Sequence, residues 1–127
     1  SSLEDVLEAV DEVRGLGPST VLVTSVDREG AAADVIEMLA VTSDGAWLVA
    51  TPRLPMKANG SGDITAALFT AHLHETGSAA DALARTASSV FAVLKETLDS
   101  GERELRLVAA QDAIASPACE FEVEQVR

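Results

Sequence analysis

An α/β fold is what this sequence predicts, and three observations predict it. Apolar residues recur at helical spacing near the start and again between residues 63 and 98, with β-branched apolar runs between them. A loop carrying two glycines opens the second helical stretch. Of the 127 residues 47% are hydrophobic but only 3% aromatic, so the core must come from Ala, Val and Leu, which favours close-packed helices on a sheet.

A chain of this length is one domain or part of one. Its net charge of −12 and pI near 4.3 argue against a nucleic-acid or anionic-membrane surface, since both would repel it. An anionic nucleotide would need local compensation from helix amides, Arg53, Lys57 or a bound cation. No run approaches the ~20 apolar residues that span a bilayer. Cys119 is the single cysteine, which excludes an internal disulfide and fits a reducing cytosol.

In chain order, Leu3, Val6, Leu7, Val10 and Val13 predict a helix capped by Ser2 and stopped by Gly15 and Gly17, with an acidic solvated face. Thr20-Val21-Leu22-Val23 is an apolar run without alternation, as expected of a strand buried on both faces of a parallel sheet. It ends in Thr24-Ser25, where ligands collect in open α/β sheets; the two hydroxyls read equally as nucleotide contacts or as caps of a strand end. Residues 35–41 and 46–50 flank Thr42-Ser43-Asp44-Gly45 and predict an antiparallel hairpin, with Trp47 as a packing anchor. The prolines of Thr51-Pro52-Arg53-Leu54-Pro55-Met56 forbid regular structure and hold the chain extended, as one wall of a nucleotide pocket or as a linker.

Lys57-Ala58-Asn59-Gly60-Ser61-Gly62-Asp63 comes next, and a helix is predicted to begin at Asp63, with Ile64, Ala67, Leu68 and Ala71 on one buried stripe. The first amides of a helix lack intrahelical partners and sit at the positive end of its dipole, so this loop reads as an anion cradle, with Asp63 as general base. Its plainer reading is an ordinary loop with Asp63 as helix cap. A P-loop would need Lys and Ser or Thr after the second glycine, and a dinucleotide fingerprint a third glycine where Thr65 stands. His72 and His74, two apart, point to different sides of the helix and read as surface or capping residues rather than metal ligands. Gly77 and Ser78 separate this helix from a long amphipathic one marked by Leu83, Ala87, Val90, Phe91, Leu94 and Leu98. Alternation in Phe121-Glu122-Val123-Glu124-Gln125-Val126 predicts an edge strand.

The Gly-Ser-Gly-Asp loop resembles the signature of the ribokinase-like small-molecule kinases. Together with Glu104-Leu105-Arg106-Leu107-Val108-Ala109-Ala110-Gln111-Asp112, Ile114 and the Pro117 to Phe121 ending, it looks like the C-terminal part of the vitamin B6 kinase branch, pyridoxal kinase. The Thr20–Ser25 strand and the Ile36–Val41 run are similar to that branch too.

The resemblance implies a three-layer α/β/α fold with a mainly parallel sheet, a β-hairpin and antiparallel edge strands. Residues 1–127 would be the ATP-binding and catalytic portion, the N-terminal substrate-binding half being absent from this sequence. It implies ATP-dependent phosphorylation of the 5′-hydroxymethyl of pyridoxal to pyridoxal 5′-phosphate in the cytoplasm, with Mg²⁺ bridging phosphate oxygens. Asp63 would be the base and would also meet the substrate; Gly60, Ser61 and Gly62 would form the anion hole. Thr24, Ser25, Thr51, Pro52, Arg53 and Leu54 would touch ATP. A homodimer is suggested by the resemblance alone. The alternatives are a related kinase acting on a hydroxymethylpyrimidine or a sugar, and a non-catalytic nucleotide-binding fragment.

Overall fold

The computed structural model describes residues 2–26, 28, 30, 32–54, 61–100 and 121–127. Seven elements follow in order: α1 (Leu3–Arg14), β1 (Val21–Val23), β2 (Val35–Thr42), β3 (Gly45–Pro52), α2 (Ser61–Thr76), α3 (Ala79–Ser100) and β4 (Val123–Gln125). The strands form one sheet in the order β1-β2-β3-β4, and each neighbouring pair is antiparallel. A mainly parallel sheet therefore has no counterpart among the described residues; β1 is half-buried, with Leu22 packed against one core and Val21 and Val23 against the other.

Helices cover the sheet on both sides. Leu39 and Val41 of β2 and Ala46 and Leu48 of β3 pack with Leu7 and Val10 of α1. The alternate residues Met38, Ala40 and Val49 face Phe69 of α2 and Ala82, Leu83 and Ala87 of α3. Because period-2 side chains from one strand enter two different cores, neither face of the hairpin can be polar, and the runs read as continuous apolar sequence. That pattern reports covering on two sides, not strand direction. Each fully buried Leu or Val contributes about 2 kcal/mol.

The ends of the elements follow their capping chemistry. Ser2 Oγ accepts from the Asp5 amide at 3.2 Å and Asp5 Oδ2 accepts from the Ser2 amide at 3.1 Å, closing a capping box on α1. The Asp81 amide donates to Ser78 Oγ at 3.2 Å, capping the start of α3. Thr42 pairs with Gly45 across a two-residue turn. Glycine at 45 is forced by close approach, because a Cβ there would lie 2.7 Å from the Arg127 carbonyl oxygen and 2.9 Å from Gln125 Nε2. Phe121 meets Phe91 edge to face, with centroids 5.2 Å apart, and ties the last segment to α3.

Several expectations are corrected. Helix α2 begins at Ser61, two residues before Asp63, so Ser61 and Gly62 are its first helical residues. The buried stripe of α2 runs through Thr65, Leu68, Phe69 and His72, while Ala67 and Ala71 are exposed. Apolarity spread around the helix hid this, because two of the four buried positions carry polar side chains. His74 is exposed as expected, but His72 is only 4% exposed. Strand β3 continues through Thr51 and Pro52, where proline is tolerated because β4 pairs only with residues 47–49. Among the described residues no helix is long and apolar enough to cross a membrane.

Candidate functional site

Because β1 and β3 are each antiparallel to β2, they run in the same direction and end at the same edge of the sheet. That brings Thr24 and Ser25, just beyond β1, to the edge where Thr51, Pro52, Arg53 and Leu54 leave β3. Thr24 and Ser25 are both exposed. From that edge the chain passes through residues 55–60, outside the described set, into α2.

A cleft of about 260 Å³ lies between β1 and α2, lined by Thr20, Leu22, Thr24, Ala66, Phe69, Thr70 and Leu73. The spacing explains the lining. Residues 20, 22 and 24 share one face of an extended chain, and 66, 69, 70 and 73 share one stripe of a helix. Continuing that stripe one turn toward the N-terminus reaches Asp63, which is exposed in the first turn of α2. Gly62 is exposed too, and a Cβ built on it would meet no described atom within 4 Å. The first-turn amides of α2 have no acceptor within their own helix, and an anion placed there gains about 0.3–1 kcal/mol from the dipole.

Arg53 has other work besides any ligand. Its amide donates to the Asp34 carbonyl at 2.9 Å, and its guanidinium donates to the carbonyls of Ala33 and Val35, both at 3.3 Å. The exposed side chain thus ties the end of β3 to the start of β2. Gly60, Lys57, Cys119 and residues 104–114 lie outside the described residues. Among those described, no group of three or more His, Cys, Asp or Glu could hold a metal ion.

Sequence reasoning passed over three participants near this edge. Thr20 and Thr70 belong to the cleft, and their spacing from Thr24 and Asp63 could have flagged them. The third is Glu37, a charge inside the run Ile36-Glu37-Met38-Leu39 and only 6% exposed. A carboxylate there demands a partner, and Arg28 supplies one through two hydrogen bonds of 2.8 and 2.9 Å.

Comparison with solved structures defines the class. The chain superposes with a TM-score of 0.83 on the pyridoxal kinase of Leishmania donovani in complex with ADP and pyridoxine, at 20% identity over 100% of this chain and 44% of that one. On the PdxK of Plasmodium falciparum with AMP-PNP and PL the TM-score is 0.80, at 21% identity over 98% of this chain and 43% of that one. The chain shares its fold with the corresponding part of these two structures. Sequence then narrows the relationship. The chain is 59% identical to the pyridoxal kinase PdxY of Leifsonia xyli subsp. xyli over 98% of its length, and 55% identical to that of Corynebacterium diphtheriae over 94%. It is a relative of the pyridoxal kinases across its whole length and matches their C-terminal part. It spans 44% and 42% of those two relatives, under half of each. No family model matches the chain.

Proposed function

We propose that these residues form the nucleotide-binding and phosphoryl-transfer part of a pyridoxal kinase, which acts on the 5′-hydroxymethyl of pyridoxal with ATP as donor. The homology to the PdxY proteins carries this reading. The exposed Asp63, in the first turn of α2 directly after an exposed Gly62, supports it.

In this reading the Asp63 carboxylate takes the proton of the 5′-hydroxyl as its oxygen attacks the γ-phosphorus. The bond from that phosphorus to the β-γ bridging oxygen breaks, and ADP leaves with the electron pair. The amides at the start of α2, with Gly60, Ser61 and Gly62, face the transferring phosphoryl group and stabilise its equatorial oxygens. Thr24, Ser25 and the segment from Thr51 to Leu54 wall the nucleotide at the edge of the sheet.

Mg²⁺ is commonly held by one or two carboxylates together with phosphate oxygens, not by an all-protein cage. The ion would neutralise charge on the nucleotide's phosphates, while the Asp63 carboxylate stays the proton acceptor. We place the protein in the cytoplasm, as a homodimer. Residues 1–127 alone are expected to turn over pyridoxal poorly, because an anion hole without a positioned acceptor supplies little of the ~8 kcal/mol or more that enzymes provide.

The test is Asp63→Asn in the full-length protein. Phosphorylation of pyridoxal should fall by about 10²-fold or more while ATP binding persists. Unchanged turnover would remove Asp63 from the chemistry.

A further inference from the structure

Glu37 grips the chain leaving β1 at two points. Its main-chain carbonyl accepts from the Val26 amide at 2.9 Å. Its carboxylate accepts from Arg28 Nε at 2.8 Å and from Arg28 Nη2 at 2.9 Å, a two-pronged pair. Side-chain exposure is 7% for Glu37 and 20% for Arg28, so water screens the pair far less than a surface ion pair. The β1–β2 pairing ends at Val23↔Leu39, and the next hydrogen bonds to β2 come from Val26 and Arg28, which follow Thr24 and Ser25 in the chain. The grip therefore falls immediately beyond the hydroxyls of Thr24 and Ser25.

Nothing about a loop that merely returns the chain requires a buried carboxylate. Burying one is costly unless it is fully paired, and an apolar residue at 37 would continue the run around it at lower cost. What an ion pair adds over apolar contact is direction, since the planar guanidinium fork accepts a carboxylate in few orientations.

We propose that the Arg28–Glu37 pair is a positioning device for nucleotide binding, fixing the Thr24-Ser25 hydroxyls at the edge of the sheet. This rests on the reading of that edge as the nucleotide wall. Arg28 is a positioning residue and not a phosphate ligand, because its guanidinium is already committed to Glu37.

The test uses the full-length protein with Glu37→Gln, Arg28→Gln, the double variant and Thr24→Val, measuring KM for ATP, KM for pyridoxal, kcat and urea midpoints. Each single change at the pair should raise KM for ATP about tenfold, with kcat and KM for pyridoxal moving less than about twofold. The double variant should be no worse than either single, because both remove one interaction. Glu37→Gln separates the roles sharply: it frees the guanidinium, so a phosphate-binding Arg28 would lower KM for ATP, whereas a positioning pair raises it. A lowered KM overturns the inference. So does a fall in the urea midpoint with KM for ATP unchanged, which would make the pair purely structural. Thr24→Val tells the two failures apart. If it raises KM for ATP and the pair variants do not, the positioning role alone falls; if it leaves KM unmoved, the nucleotide reading of this edge falls and the positioning role with it.

Discussion

The β2–β3 hairpin and the β1–α2 face are neighbours in one sheet, yet they use their residues in opposite ways. In the hairpin Leu39, Ala40, Val41 and Ala46 have no exposure at all, since α1 covers one side and α2 and α3 the other. Along β1 the residues Val21, Leu22 and Val23 are half-buried, Thr24 and Ser25 are exposed, and α2 turns exposed Ala66 and Thr70 toward the cleft. The contrast teaches that the groups offered to a ligand are those the packing does not consume, held by a neighbouring region that packing has made rigid. Stability and candidate chemistry should then respond to different substitutions.

The largest stability effect should come from the hairpin. Leu39→Ala removes a side chain with 0% exposure between α1 and the sheet and is expected to cost about 3 kcal/mol in urea unfolding of the full-length protein. Thr70→Ala, on the cleft side of α2, loses an exposed hydroxyl that donates to the Ala66 carbonyl within its own helix, and should cost less than about 0.5 kcal/mol. If the two losses came out equal, the division between a packed and an unpacked region would not hold.

Next in size is Gly45→Ala. The new methyl would need space now taken by the Arg127 carbonyl oxygen at 2.7 Å, so the backbone at Arg127 must shift to admit it. The same carbonyl accepts from the Ala46 amide at 3.3 Å, and the Val126 amide donates to the Ala46 carbonyl at 2.8 Å. Strain plus displacement of this end of the chain should cost about 2 kcal/mol, read from the urea midpoint. A smaller loss would mean that the last residues yield easily and that the hairpin does not depend on them.

This same contrast decides what could be read in advance. The hairpin was legible because Asp44-Gly45 stands between two apolar runs, and α1 because Leu3, Val6, Leu7, Val10 and Val13 recur at helical spacing behind Ser2. Strand direction in β1 was not, because an apolar run records how many of its sides are covered and nothing about its neighbour's polarity. The packing stripe of α2 was misread for a related reason: Thr65 and His72 are buried, while Ala67 and Ala71 look apolar and face water. Asp63, Thr24 and the segment from Thr51 to Leu54 could be singled out, but that Thr24 shares a cleft with Phe69 and Leu73 needed coordinates.

His72 gives a third way to sharpen the comparison, through pH. Burial beside α3 pushes its pKa below the ordinary 6.5; Glu75, whose carboxylate lies 3.9 Å from Nδ1, opposes the shift, and Arg85 adds to it. Neither ring nitrogen has a hydrogen-bond partner among the described residues, so the neutral form is the one the fold accepts. Below about pH 6.5 the unfolded chain takes up a proton that the folded chain resists, so the unfolded state binds more protons and stability falls as pH falls. Above that value both states are neutral and this slope is absent. His72→Leu should flatten the decline between pH 7.5 and 5.5 in urea midpoints, relative to the parent protein. An unchanged slope would assign the acid sensitivity to other groups.

The smallest effect should come from the ion pair that joins Arg127 to Asp11 of α1. Arg127 donates from both terminal nitrogens to the Asp11 carboxylate, at 2.6 and 2.9 Å, and these hydrogen bonds hold the Asp11 carboxyl below the ordinary carboxylate range. Like the Arg28–Glu37 pair it is two-pronged, though through Nη1 and Nη2 instead of Nε and Nη2, and its side chains are 38% and 44% exposed, so water and salt screen what burial would preserve. A depressed pKa makes its stabilisation present above the unfolded value and lost as pH falls through the folded one. Asp11→Asn should therefore lower the urea midpoint only slightly at neutral pH and low salt, and added salt should erase the difference. A loss matching that of Gly45→Ala would show that the end of the chain is held by this tether more than by its fit against the hairpin, and that exposure alone does not rank the two arginine pairs.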